Sequence, residues 1–154
     1  MRMTLEQAIQ KYGPIVDGVW ANEAKFCSLL EIPSDIGGEW INSATGLGVT
    51  HIYVNNDMQA PLLQALNNVK DRGLLGELHS FDGCLMIRAV RGQPGNLSCH
   101  AYGLAIDLDA SDNQMGTAGT LSPEFVKCFT DEGFTWGGTF HTRTDPMHFS
   151  LAWE

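Results

Sequence analysis

The sequence predicts one compact domain that mixes helices and strands, and three observations lead there. At 154 residues the chain is long enough to bury one sizeable core and too short for two full domains. Its hydrophobic fraction of 44% and charged fraction of 18% are those of a folded globular chain, with no low-complexity run or internal repeat. Apolar residues recur at helical spacing in some segments and alternate in others, with turn formers between them.

Taken in order, Thr4–Tyr12 predicts a short helix capped by Thr4, with Leu5, Ala8, Ile9 and Tyr12 on one face and Gly13-Pro14 as its stop. Residues 13–48 read as irregular, with Trp20, Phe26, Leu29, Leu30, Ile32 and Trp40 offered to the core. Thr50–Val54 is a β-prone alternating run that ends in a turn at Asn55-Asn56-Asp57. The helix after it would carry Pro61 in its first turn, Leu62, Leu63, Leu66 and Val69 as its apolar stripe, and Gly73 at its end.

Cys84–Val90 predicts a strand that runs into the turn-rich stretch Arg91–Gly95. Beyond Gly103, Leu104, Ile106 and Leu108 alternate with Ala105, Asp107 and Asp109, so one face packs and the other carries carboxylates. Residues 110–121 read as a loop, and Ser122-Pro123-Glu124 opens a helix with Phe125, Val126, Cys128 and Phe129 inward. A final strand, His148–Trp153, sets Phe149, Leu151 and Trp153 on one side and His148 on the other.

The balance of charge excludes some functions. A net charge of −9 without a Lys/Arg cluster argues against nucleic acid, whose phosphates such a surface repels. No apolar run reaches the roughly 18 residues needed to cross a bilayer, and residues 1–7 lack the shape of a signal peptide, so synthesis in the cytoplasm without membrane insertion is expected. Cysteines 27, 84, 99 and 128 are scattered, with no Cys-x-x-Cys pair, and read as buried free thiols.

Two stretches carry chemistry. His100, Asp107 and His148 supply two imidazoles and a carboxylate, the donor types of a catalytic zinc site with an open position for water. His100 and Asp107 converge only if the chain bends between them, which Gly103 permits. Asp145, three residues before His148, is placed to take a proton from the attacking water. Arg88 is the candidate to meet the developing oxyanion, with Arg91 as the alternative. His51, His79 and His141 have no second ligand type nearby in sequence and read as structural or surface residues. On pattern alone, a metal site and a set of unrelated turn, strand and loop residues are equally good readings.

A wider pattern adds to this. Ser98-x-His100-x-x-Gly103-x-Ala105-x-Asp107, then Trp136-Gly137-Gly138, then Asp145-Pro146-Met147-His148-Phe149, resembles the zinc D-alanyl-D-alanine carboxypeptidase and L-alanyl-D-glutamate endopeptidase family, which includes many phage endolysins. Arg88-x-x-Arg91-Gly92 and the helix ending at Gly133-Phe134 match in order and spacing, so the resemblance spans residues 50–154. It implies an α+β fold of the D,D-peptidase and hedgehog type: a small single domain whose antiparallel sheet, flanked by helices, holds zinc in a cleft. Within that domain residues 1–49 would form an N-terminal helix and irregular segment, and 50–154 the catalytic core.

The resemblance further implies that His100, Asp107 and His148 bind one zinc, that Asp145 is the catalytic base and that Arg88 stabilises the oxyanion. Ser98, Arg91 and Trp136 are candidates for substrate contact. The expected activity is hydrolysis of a peptide bond in the peptidoglycan stem peptide, as an L-alanyl-D-glutamate endopeptidase of a phage or prophage endolysin. Such a protein would be a monomer released to the wall by a holin-like partner. The alternatives are a D-alanyl-D-alanine carboxypeptidase and, in another class, a non-catalytic tail or wall-binding module; the latter has no need of a proton acceptor at Asp145.

Overall fold

The structure, a computed structural model, describes residues 2–90 and 93–154, apart from the side chains of 93 and 94. Helix α1 (Leu5–Tyr12) starts where Thr4 and Gln7 cap each other reciprocally, which satisfies two backbone N–H groups that the first helical turn leaves free. The hairpin β1 (Ile15–Val16) and β2 (Val19–Trp20), a short helix α2 (Glu23–Phe26) and strands β3 (Cys27–Glu31) and β4 (Ile41–Asn42) follow. Next come β5 (His51–Asn55), the long helix α3 (Asn56–Asp71), β6 (Ser80–Gly83), β7 (Ala89–Val90) and β8 (Gln93–Leu97). After a 3-10 turn at Cys99–Tyr102, β9 (Ala105–Leu108), α4 (Pro123–Thr130), β10 (Thr135–Trp136) and β11 (His148–Ser150) complete the order.

The main sheet has five strands in the order β10-β11-β9-β6-β4, antiparallel except for the β4–β6 pair. Beside it, β3 and β5 pair antiparallel, and β7 and β8 form a hairpin. Helices α3 and α4 pack against each other, with α3 also on the β3–β5 pair. The α+β expectation therefore holds. Strand β9 lies at the centre with every residue buried, Asp107 included, so it presents no solvent-facing row of carboxylates. Among the described residues no helix is long and apolar enough to cross a membrane.

Several expectations need correction. Residues 13–48 hold β1 to β4, and β3 pairs with β5 from Cys27↔Asn55 to Glu31↔His51. Leu29 in β3 is exposed and its neighbour Leu30 buried, so the strand lacks the two-residue alternation that would have marked it. The expected turn at Asn55–Asp57 is the start of α3: Asn55 caps it by accepting from the Asp57 N–H at 2.9 Å, and Pro61 lies inside the helix.

Residues 84–88 leave the sheet after Gly83, and the ladder belongs to Ser80–Gly83 instead. The backbone of 84–88 is engaged elsewhere: Met86 N–H donates to His100 O at 2.9 Å, and Cys84 O accepts from the His100 ring. The turn-rich stretch ends in strand β8, while Arg91 and Gly92 lie outside the described residues. The last strand stops at Ser150, where Arg2 takes over by donating to the carbonyls of Ser150 at 3.0 Å and Ala152 at 2.7 Å.

The N-terminal segment also supports the turn that carries His100. Tyr12, Trp20, Phe26 and Tyr102 form one aromatic cluster, with Tyr12–Tyr102 and Trp20–Tyr102 centroids 5.6 and 5.0 Å apart. Tyr102 also donates its hydroxyl to Gly13 O at 2.7 Å.

Candidate metal centre

The site starts from a bend. Ser98 caps the 3-10 turn by accepting from the His100 N–H at 3.2 Å, and Gly103 ends it in the left-handed region at φ 67°. A Cβ on Gly103 would stand 2.9 Å from the Asn55 backbone nitrogen, so both conformation and space call for glycine. The chain then enters β9, and Asp107 faces its register partner His148 across the β9–β11 ladder.

Three ligand atoms converge there. His100 Nε2 lies 3.1 Å from Asp107 Oδ1 and 3.1 Å from His148 Nδ1, and the remaining edge, His148 Nδ1 to Asp107 Oδ1, is 3.3 Å. Ligands about 2.0–2.1 Å from a tetrahedral zinc stand about 3.3 Å from one another, so this triangle has the size of one tetrahedral face. His100 Nδ1 is 2.7 Å from the Cys84 carbonyl. A carbonyl only accepts, so Nδ1 of His100 carries a proton, which leaves Nε2 as the atom turned to the cluster. Two imidazoles and a carboxylate this close together form a group that can hold a metal ion.

The electrostatics agree. Burial would raise the Asp107 pKa, but the charge and hydrogen bond of His100, with those of His148, hold the carboxyl well below the usual carboxylate range. Burial likewise opposes protonation of His148, yet its contacts with Asp107 and Glu154 push it up to about 9. Asp145 responds the other way: burial, then repulsion from Asp107, raise its pKa, while His148, His100 and Arg88 partly counter the shift.

Arg88, Ser98 and Asp145 line one small cleft with His148, the member of the ligand triangle that reaches it, together with Arg143 and Glu154. A wider groove of about 560 Å³ adjoins it, and Val90, Phe140, Thr142 and Glu154 line both. Asp145 Oδ1 is buried with no hydrogen-bond partner among the described residues. An unpaired buried carboxylate oxygen is costly and marks a place where a ligand or water is expected.

Trp136 does not line this cleft. Its indole N–H donates to Pro146 O at 2.7 Å, and Asp145 N–H donates to Gly137 O at 2.8 Å, so the Trp-Gly-Gly segment anchors the backbone that carries Asp145. A Cβ on Gly137 would fall 2.2 Å from Asp145 O, and one on Gly138 would meet the Trp136 ring at 2.2 Å. Arg91 lies outside the described residues. His79 is tied to Asp109 at 2.9 Å, His51 is exposed beside Thr50, and neither belongs to the cluster. The four cysteines are free and buried.

Two contributors were not found in the sequence. The Cys84 carbonyl left no side-chain signal. Nor did Glu154, which lies past the end of β11 at Ser150, where strand alternation no longer sets the face.

Residues 91–151 match the family model described as D-alanyl-D-alanine carboxypeptidase. No curated protein and no solved structure gives a significant match. That segment contains His100, Asp107, His148 and Asp145, so the chain is similar to the D-alanyl-D-alanine carboxypeptidase family over the part that carries the candidate metal centre.

Proposed function

We propose that the protein is a zinc-dependent peptidase of the peptidoglycan stem peptide, acting as an L-alanyl-D-glutamate endopeptidase of the endolysin kind. The observation that carries the reading is the convergence of a zinc-sized ligand triangle with the unpaired Asp145 carboxylate oxygen beside the same cleft. Zinc held by His100, Asp107 and His148 would supply Lewis acidity to water and to the scissile carbonyl. Asp145 takes the proton of the attacking water and can pass it to the leaving amine, helped by a pKa raised toward the working range. Arg88 brings a guanidinium to the oxyanion from the cleft wall. The groove running on past Phe140 and Thr142 gives room for a chain that continues beyond the cut bond, which favours an endopeptidase.

Arg143, a second cation on the cleft, favours the other reading, because a carboxypeptidase must hold a terminal carboxylate. The similarity of residues 91–151 to the D-alanyl-D-alanine carboxypeptidase family supports it too. In the first reading the protein is made in the host cytoplasm and reaches the wall as a monomer through a holin-like partner. Mass spectrometry of fragments from purified peptidoglycan separates the two: new N-termini on D-glutamate mark the endopeptidase, and loss of terminal D-alanine marks the carboxypeptidase. Zinc-loaded protein that releases neither fragment refutes the proposal and leaves a binding module.

A further inference from the structure

Glu154 lies outside every motif read from the sequence, yet its side chain is only 11% exposed in the cleft wall. One carboxylate oxygen accepts from the Cys99 backbone N–H, and the other lies 2.7 Å from His148 Nε2. That approach is not aligned as a hydrogen bond, and His148 Nε2 is buried with no hydrogen-bond partner among the described residues. It is the ring nitrogen remote from the ligand triangle, which His148 enters through Nδ1. A neutral imidazole that gives its Nδ1 lone pair to a metal carries its proton on Nε2, and a buried N–H needs an acceptor. Glu154 Oε2 is the carboxylate within reach.

The backbone around Glu154 is held in place. Trp153 donates its indole N–H to Leu97 O at 2.9 Å, and the Arg2 guanidinium binds the carbonyls of Ser150 and Ala152. The carboxylate is therefore delivered by a segment tied to β8 on one side and to residue 2 on the other.

We propose that Glu154 is a positioning residue of the metal centre, holding the His148 ring in the tautomer and orientation that present Nδ1 to zinc. This rests on the reading of His100, Asp107 and His148 as zinc ligands. Outer carboxylates of this kind are typically worth about 10–100-fold in metal affinity.

The test is zinc affinity, by competition with a chromophoric chelator, for the wild-type protein, Glu154→Ala and Glu154→Gln. Thermal midpoints of the metal-free forms and the histidine Nε2–H signal of the zinc-loaded forms are recorded beside it. The wild-type protein is expected to bind one zinc, with a protected Nε2–H signal from His148. Glu154→Ala should bind about 10–100-fold more weakly and lose that signal; Glu154→Gln, which keeps an acceptor oxygen, should lose roughly three- to tenfold. A purely structural role would lower the thermal midpoint and leave affinity and signal as they were, which overturns the inference. If Glu154→Ala does not fold, Glu154→Gln decides alone, and affinity within about twofold of wild type overturns it. Wild-type protein that binds no zinc refutes the ligand reading instead, so the two failures are distinct.

Discussion

Asp107 and His148 are direct partners across the antiparallel β9–β11 ladder, and their side chains meet 3.3 Å apart. Opposed residues on neighbouring strands hold their Cβ atoms about 4.5–5.5 Å apart, so the sheet itself sets the spacing of two ligands. Only His100 has to be brought in from outside the ladder. Removal of any one of His100, Asp107 or His148 by alanine is expected to weaken zinc binding by more than about 100-fold, beyond the usual loss for an outer partner. Metal analysis after gel filtration should then read about one zinc per chain for wild type and almost none for the variants; a variant that keeps full zinc is not missing a ligand.

The acidity of the cluster gives the metal-free protein a distinctive pH profile. His148 is pushed up from 6.5 to about 9, so its contribution to stability is complete below pH 6.5 and disappears as the pH rises through about 9. Glu154 is held down from 4.5 to about 2, despite burial, by His148 and the Cys99 N–H, so its contribution is complete above pH 4.5 and disappears as the pH falls through about 2. The two share one ion pair, and the chelated protein should be most stable between about pH 4.5 and 6.5. Zinc reverses the upper limb, because it must displace the His148 proton: affinity should rise about tenfold per pH unit up to about pH 9. Thermal midpoints with chelator and with zinc, from about pH 2 to 10, check both limbs.

Asp145 couples stability and catalysis in opposite directions. Burial and Asp107 raise its pKa, so the fold favours the protonated form, and the associated stability is complete below 3.8 and lost as the pH rises through the raised value. Asp145→Asn should therefore raise the melting temperature of the metal-free protein at pH 7. It should also keep its zinc and lose about 10²–10⁴-fold in kcat. Arg88→Met should retain zinc and lose about 10²–10³-fold. Unchanged turnover in either variant removes that residue from the mechanism.

The Trp136–Pro146 contact predicts a loss of activity without a lost ligand. Trp136→Phe deletes the donor to Pro146 O and should cost about 1–3 kcal/mol by leaving a carbonyl unpaired. Gly137→Ala forces a methyl against the Asp145 carbonyl and should cost a similar amount through overpacking. Both should bind zinc normally and lower kcat by displacing the carboxylate; denaturation midpoints and single-turnover rates separate the two effects.

The three candidate ligands stood out in the sequence because Asp107 and His148 interrupt apolar strands and His100 precedes the Gly103 bend, and polar residues in such places require a reason. Gly103 was legible for the same cause, since only a left-handed residue bends the chain between His100 and Asp107. Strand β3 was not, because its solvent-facing Leu29 looks like core, and the departure of 84–88 from the sheet was not, because backbone groups satisfied by a distant ring leave no trace in side-chain pattern. Trp136 was read toward substrate, whereas its indole faces Pro146. Sequence shows that a residue is needed, while the partner it serves depends on strands far apart in the chain.

Cys84 and Cys99 flank the centre through their backbones, one carbonyl accepting from His100 and one N–H donating to Glu154, while burial pushes both thiols up. The candidate ligand set is all nitrogen and oxygen. Such a centre gives no foothold to thiophilic ions or to mild oxidants, and alkylating reagents should find no thiolate to trap. A peptidase built this way would keep its metal through a change from reducing to oxidising surroundings.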